Sequence, residues 1–104
     1  MSHVIVTAVF HPAPEAKESL ISALRAGIPA VHDESGCLLY AIHDADDGTI
    51  VMLEKWTSRA ELDAHAAGPA VEKLNELIAP HLAAPVRVTT MNPIPAGTGK
   101  QGLL

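Results

Sequence analysis

The sequence predicts an α+β fold in which helices cover one face of a β-sheet, with the element order β-α-β-β-α-α-β. Three observations support this prediction. The chain has 104 residues, a length that suits one domain. Apolar segments of strand length alternate with segments whose apolar residues recur at helical spacing. Glycine, proline or a helix-capping residue stands at the boundaries between these segments.

The first strand and the first helix are predicted for the N-terminal third. Residues 3–10 are β-branched or apolar at successive positions, which indicates a strand covered on both faces, and the prolines within residues 11–14 end it. A helix begins near Glu15. Gly27 and Pro29 weaken this helix and predict a kink in its last turns. Its apolar residues at helical spacing are Leu20, Leu24, Ile28 and Val31.

A β-hairpin follows the break at Gly36. Residues 37–43 form the predicted second strand, residues 44–48 form the turn, and residues 49–56 form the third strand. Because side chains alternate along a strand, four residues of the third strand share one face. They are Ile50, Met52, Glu54 and Trp56.

The second half of the chain predicts two helices and a last strand. Ser58 and Glu61 form a capping box that starts one helix, and residues 68–69, Gly-Pro, separate it from a second that ends near Pro80. Residues 84–91 read as the fourth strand. We therefore predict a domain over residues 1–91 and an extended tail over 92–104, whose apolar end either docks on a partner subunit or is disordered.

This order is ferredoxin-like, and it leaves one sheet face without helices. That face is also apolar in the predicted strands. Apolar residues make up 48% of the chain, whereas charged residues make up 18%, below the roughly 25% of an ordinary domain. We therefore expect a homodimer in which a second sheet covers this face, as in a dimeric α+β barrel.

Charge and composition exclude several classes of partner. The net charge is −5 and the seven Lys and Arg residues are scattered, so no basic patch exists for nucleic acid. No apolar run approaches the roughly 18 residues of a membrane span. The N-terminus lacks the features of a signal peptide, and a lone Cys37 fits a reducing compartment. The sequence predicts a soluble, cytoplasmic protein.

Four residues are candidates for chemistry, and each also has a structural interpretation. Trp56 could form a wall for a planar aromatic substrate or fill the core. His65 could accept a substrate proton from the capped helix or be a half-buried histidine with its hydrogen bonds satisfied. Tyr40, the one phenol, could bind a quinone or phenol oxygen or only pack. Glu54 lies between apolar neighbours, and a structural role is favoured for it.

The sequence contains none of the common cofactor motifs. There is no H-E-x-x-H or C-x-x-C pattern for a metal, and no G-x-G-x-x-G or G-K-[ST] pattern for a nucleotide. We therefore predict no metal and no organic cofactor.

The sequence resembles the antibiotic biosynthesis monooxygenase (ABM) domain in three segments: residues 34–40 (Glu-Ser-Gly-Cys-Leu-Leu-Tyr), 51–58 (Val-Met-Leu-Glu-Lys-Trp-Thr-Ser) and 61–65 (Glu-Leu-Asp-Ala-His). The resemblance extends over residues 4–91. It implies a homodimeric α+β barrel with a pocket between the sheet and the helices. Some members oxygenate polyphenols or quinols without metal or flavin, others isomerise small sugar-derived signals, and others degrade haem.

The resemblance also bears on individual positions. Trp56 matches a Trp that lines the pocket of the polyketide oxygenases, whose accompanying Asn and Tyr fall on Met52 and Leu62 here. Haem degraders have a Trp at the position of His65 and a His at that of Asn75, so haem degradation is not expected. Members with Glu-x-Trp and a His in the next helix, which resemble quinol monooxygenases, match best.

These observations lead to one functional hypothesis and two alternatives. The hypothesis is a cofactor-independent oxygenase of a quinol or small polyphenol, in which Trp56 stacks on the ring, Tyr40 fixes an oxygen and His65 accepts or relays a proton. Met52, Glu54 and Leu62 are further predicted substrate contacts. The alternatives are a dimer that binds small aromatics without turnover, such as a stress-responsive protein, and an isomerase of a small oxygenated metabolite.

Overall fold

The predicted element order is confirmed. A computed structural model describes residues 3–104, so Met1 and Ser2 of the predicted domain lie outside the described residues. Within that range, none of the helices is both long and apolar enough to cross a membrane. The strands and helices are β1 (Val4–Phe10), α1 (Lys17–His32), β2 (Cys37–Asp44), β3 (Ile50–Trp56), α2 (Arg59–Ala66), α3 (Pro69–Ile78) and β4 (Arg87–Met91), with 3-10 turns at Ala79–His81 and Gly99–Gln101.

The four strands form one antiparallel sheet in the order β2-β3-β1-β4. The central strands are therefore β3 and β1, and each of them pairs with a strand on both sides. In the register, Glu54 of β3 is opposite Val6 of β1 on one side and Tyr40 of β2 on the other. Glu54 is therefore a carboxylate in the middle of the sheet, on the face that the helices cover.

A β-bulge in β2 decides where Tyr40 points. The register shifts between Cys37 and Leu39, so that Cys37 is opposite Trp56 while Tyr40 is opposite Glu54. Leu38 occupies the bulge and is 50% exposed. In a regular strand Leu38 and Tyr40 would share a face, but here the extra residue rotates the rest of the strand by one position. Tyr40 shares the helix-covered face with Ile42 instead.

The helices pack on the sheet through a continuous apolar core. Helix α1 runs without interruption past Gly27 and Pro29. Gly27 is buried against α3, where a Cβ atom at its position would lie 2.4 Å from Cδ1 of Leu74. The glycine thus allows a close approach of α1 and α3. The fully buried side chains of the core are Trp56, Leu20, Leu24, Ile50, Met52, Leu74, Ile78, Val6 and Val31.

The other face of the sheet carries no helix, as predicted. Val9, Val51 and Leu53 are half-buried there. Ile5, on the same face by register, is 5% exposed and lines a surface pocket with Met91 and the C-terminal tail. The tail is less extended than predicted, because it turns back on itself through a hydrogen bond from Ala96 N to Gly102 O of 3.2 Å.

Candidate functional site

A pocket of about 480 Å³ lies between the helix-covered face of the sheet and helices α2 and α3. The pocket is open to solvent, since several of its lining residues are exposed, among them Val88 of the edge strand β4 at 60%. Its apolar lining consists of Val6, Ala8, Phe10, Leu62, Ala66, Val71, Leu74, Val86 and Val88. Its polar lining consists of Tyr40, Glu54, Arg59, Asp63, His65, Asn75 and Thr90.

His65 reaches this pocket from the last turn of α2, and it is held by a carboxylate. Oγ of Ser58 accepts a hydrogen bond from Glu61 N at 3.2 Å and so begins the helix at the predicted cap. Seven residues further, Nδ1 of His65 lies 2.6 Å from Oε1 of Glu34. The cap fixes the start of the helix and therefore the backbone position of His65, and the contact with Glu34 fixes the orientation of its ring.

Glu34 belongs to the short loop between α1 and β2. This loop is anchored to the β3–α2 connection by a hydrogen bond from Thr57 N to Gly36 O of 2.9 Å. Gly36 has φ +83°, a conformation that disfavours other residues, and its Cα faces the side chains of Glu61 and Thr57. The tight turn thus brings Glu34 beside the end of α2.

The contact with Glu34 determines what His65 offers to the pocket. A carboxylate accepts the Nδ1–H proton of a neutral imidazole, which leaves the lone pair on Nε2. Nε2 has no hydrogen-bond partner within residues 3–104. Every fully buried polar side-chain atom in that range has a partner, so Nε2 is not fully buried and is accessible from the pocket. In this arrangement His65 is competent to accept a proton from a bound molecule.

Two aromatic rings surround His65. The ring of Trp56 lies 4.6 Å from the imidazole, centroid to centroid, at an interplanar angle of 32°. The ring of Tyr40 lies 5.3 Å away at 71°, an edge-on arrangement. These contacts leave His65 only 5% exposed and restrict its rotation.

Glu54 is the second buried acid–base group of the pocket. Its side chain is 5% exposed, and Oε1 accepts a hydrogen bond from Nε1 of Trp56 at 3.0 Å. Burial raises the pKa of Glu54, although the Trp56 hydrogen bond and the charge of protonated His65 oppose this effect. The other carboxyl oxygen, Oε2, has no partner among the described residues.

Tyr40 supplies a hydroxyl group that keeps its proton. Burial raises the pKa of Tyr40 far above its ordinary value, and the charges of Glu54 and Glu34 raise it further. Its Oη also lacks a partner within residues 3–104 and so has access to the pocket. A hydroxyl group that keeps its proton can donate a hydrogen bond but does not act as a base.

The structure brings four of the six predicted site residues to the pocket surface and leaves two behind it. Tyr40, Glu54, Leu62 and His65 line the pocket. Trp56 and Met52 are both 0% exposed and are not among the residues that line it, so their contact with a substrate stays a prediction.

The position of His65 explains the burial of Trp56. The imidazole lies against the indole ring and stands between it and the pocket, so that Trp56 supports His65 and Glu54 instead of a ligand. Met52 lies four residues before Trp56 on the same face of β3, within the core under the helices.

The sequence reasoning missed Glu34 and the polar residues at the pocket rim. Glu34 and His65 are 31 residues apart, and no spacing rule connects a loop carboxylate with a helix histidine at that distance. Arg59 and Asp63 could have been found, because Arg59 lies three residues before Leu62 and Asp63 lies four residues after Arg59 on the same helix. Within the described range, no three His, Cys, Asp or Glu side chains gather to hold a metal ion.

Comparison with known proteins points to one family. The family model of the antibiotic biosynthesis monooxygenases matches residues 3–77. The sequence is 35% identical over 94 residues to Rv0793 of Mycobacterium tuberculosis, a candidate monooxygenase, covering 89% of this chain and 93% of that protein.

Solved structures agree with this comparison. The structure of Rv0793 superposes with a TM-score of 0.82 at 33% identity, covering 93% of this chain and 100% of that one. The crystal structure of an antibiotic biosynthesis monooxygenase superposes with a TM-score of 0.78 at 29% identity, covering 88% of this chain and 99% of that one. The crystal structure of PA3566 from Pseudomonas aeruginosa superposes with a TM-score of 0.75 at 25% identity, covering 90% of this chain and 96% of that one.

Proposed function

The chain belongs to the antibiotic biosynthesis monooxygenase family, and on this premise we propose that it oxygenates a quinol or small polyphenol with O₂, without metal or flavin. The observation that carries the proposal is the Glu34–His65 pair, which directs a proton-accepting nitrogen into a pocket with an apolar wall. A cofactor-independent oxygenase needs a base and a dry cavity, since the electrons for O₂ come from the substrate itself.

The proposed reaction starts with removal of a ring hydroxyl proton. The resulting phenolate gives two electrons to O₂ as a ring carbon bonds to one of its oxygen atoms. The outer oxygen of the peroxide takes up the proton that the base removed, so that a hydroperoxide forms and the base is neutral again. The hydroperoxide then loses the proton on that carbon, the C–H electron pair becomes the new C=O bond, and the O–O bond breaks. One oxygen stays on the product and the other leaves as water, so a quinol and O₂ give a hydroxyquinone and water.

Four residues take defined roles in this reaction. His65 accepts the hydroxyl proton at Nε2 while Glu34 stabilises the imidazolium that forms. Tyr40 donates a hydrogen bond to a ring oxygen. Leu62, with the apolar wall of the pocket, holds the ring and excludes water.

The test is a panel of dihydroquinones and polyphenols, followed by O₂ uptake and mass spectrometry in air and under argon. We expect a product heavier by one oxygen and lighter by two hydrogens, formed only in air. His65→Ala should lower the rate by about 10²–10⁴-fold, the usual contribution of a general base. His11→Ala, an exposed histidine of the loop after β1 that does not line the pocket, is the matched control and should retain full activity. Full turnover by His65→Ala would remove His65 from the mechanism.

An isomerase is the second candidate, favoured by one observation. Glu54 and His65 line the same pocket, and an acid and a base on one ligand suit proton transfer between two of its carbon or oxygen atoms. An isomerase would convert its substrate equally well under argon. Tight binding of quinones with no product in either atmosphere would instead support a protein that only binds aromatics.

We further propose that the protein works as a cytoplasmic homodimer, joined through the sheet face that carries no helix. The half-buried Val9, Val51 and Leu53 on that face support this proposal. Light scattering should give twice the 10.9 kDa mass of the chain. Leu53→Glu should give the monomer, whereas Lys73→Glu on the exposed side of α3 should not change the mass.

A further inference from the structure

We propose that Glu54 is a second catalytic residue of the pocket, a neutral carboxylic acid that donates its proton to the oxygen leaving the substrate while His65 removes a proton. This inference rests on the proposed oxygenase function and extends it, because it assigns the source of the proton that makes water. A role in the hairpin alone would not require the Glu54 side chain to face the cavity, yet this side chain lines the pocket together with His65.

Glu54 is a buried carboxylate inside the pocket and not a carboxylate on the protein surface. It lies on a central strand, between Val6 and Tyr40 in the register, and it is 5% exposed. Nε1 of Trp56 donates to Oε1 at 3.0 Å and so fixes the carboxyl plane. Oε2 is left without a partner among the described residues and therefore has access to the cavity.

The surroundings of Glu54 favour its neutral form. The groups that face it are His65 of α2, Trp56 of its own strand and Tyr40 and Cys37 of β2, with Glu34 beyond His65. Within residues 3–104 no Lys or Arg forms an ion pair with Glu54, although Arg59 also lines the pocket. Burial accordingly raises the pKa of Glu54, and one indole hydrogen bond only partly offsets the loss of solvation.

The reaction needs an acid at one step. When the carbon-bound proton of the hydroperoxide passes to Nε2 of His65, the C–H electron pair forms the C=O bond and the O–O bond breaks. The departing hydroxide takes the proton of Glu54 and leaves as water. Glu54 is then a carboxylate and His65 an imidazolium, and transfer of one proton from His65 to Glu54 restores both groups. The two residues line one cavity, which allows this return.

The first test does not require turnover. The carboxyl groups of a protein labelled with ¹³C-glutamate are titrated by NMR, and Glu54→Gln identifies the resonance of Glu54. Gln retains the shape and still accepts the Trp56 hydrogen bond through its amide oxygen. We expect Glu54 to hold its proton to a pH above the ordinary pKa of 4.5 for a glutamate side chain, because burial raises its pKa. Ionisation of Glu54 at or below that ordinary value would overturn the inference.

The second test uses any quinol that the wild-type protein oxygenates. Glu54→Gln should lower kcat by about 10²–10⁴-fold and leave KM within a few fold, because Gln donates a hydrogen bond but transfers no proton. The rate of the wild-type protein should fall at high pH, because Glu54 then loses its proton. This fall should be absent in Glu54→Gln. Glu76→Gln is the matched control and should behave as the wild type.

The outcomes separate this inference from the proposed function. Absence of O₂ uptake by the wild-type protein defeats the oxygenase, and the titration still decides whether Glu54 is a neutral acid. Oxygenation by the wild type with an unchanged kcat and pH profile in Glu54→Gln defeats the role of Glu54 alone.

Discussion

Nδ1 of His65 lies 2.6 Å from Oε1 of Glu34, and this contact connects the loop after α1 with the last turn of α2. The carboxylate is 21% exposed and the imidazole 5%, so the pair sits at the boundary between solvent and pocket. A hydrogen bond between two ionisable groups in such a place is stronger than one in water. It fixes one tautomer of His65 and directs Nε2 toward the cavity.

Removal of the Glu34 carboxylate should impair turnover more than folding. In Glu34→Ala the imidazole loses the group that orients it and stabilises its charged form, and we expect kcat to fall by at least about tenfold. Glu34→Gln should give a smaller loss, because its amide oxygen can still accept from Nδ1–H.

Steady-state kinetics with an active quinol, together with thermal unfolding, measure both effects. Asp33→Asn changes an exposed neighbouring carboxylate and is the control. Equal kcat for Glu34→Ala and Asp33→Asn would show that Glu34 has no part in orienting the base.

The fold was predictable because each element has a local signal. Ser58 caps α2, and the alternation from Ile50 to Trp56 fixes the inner face of β3. The site was predictable only in part, since it depends on contacts without a local signal. Glu34 meets His65 through a turn whose direction depends on packing, and the bulge at Leu38 rotates Tyr40 onto the inner face. The burial of Trp56 depends on His65 lying over it, which no spacing rule reports.

Tyr40 should resist ionisation in the folded protein. Burial raises the pKa of Tyr40 above its ordinary 10.0, so the folded state holds the phenol proton more tightly than the unfolded state does. The contribution of Tyr40 to stability is therefore complete below pH 10 and is lost as the pH rises above it.

The chain has one tyrosine, so its phenolate absorbance can be followed without interference from another. We expect that absorbance to appear together with loss of helical circular dichroism. Reversible ionisation near pH 10 with the circular dichroism unchanged would contradict the buried position of Tyr40.

The approach of α1 and α3 at Gly27 should not tolerate a side chain. An added Cβ would lie 2.4 Å from Cδ1 and 3.3 Å from Cα of Leu74. We expect Gly27→Ala to lower the free energy of unfolding by about 1–2 kcal/mol, because overpacking outweighs the roughly 0.5–1 kcal/mol that alanine contributes to a helix.

Chemical denaturation of single and double variants measures this effect. Leu74→Ala removes the atom in closest contact, so Gly27→Ala should cost less in that background than in the wild type. Ser22→Ala on the exposed side of α1 is the control for helix propensity. Additive effects of Gly27→Ala and Leu74→Ala would show that the two residues do not compete for the same space.

Glu54→Gln should make the fold more stable at neutral pH and should alter how stability depends on pH. Burial raises the pKa of Glu54 above its ordinary 4.5, so between that value and the pKa in the folded protein the folded state binds more protons than the unfolded state. Stability then falls as the pH rises through this interval. Gln carries no proton equilibrium and keeps the acceptor for Trp56, so the free energy of unfolding of the variant should exceed that of the wild type by an amount that grows from pH 4.5 upward.

Urea unfolding at a series of pH values, followed by the fluorescence of the single Trp56, measures the difference, with Glu76→Gln as the control for a surface carboxylate. A difference that stays constant with pH would mean that Glu54 has the same pKa in the folded and unfolded states. This result would contradict the claim that burial raises the pKa of Glu54.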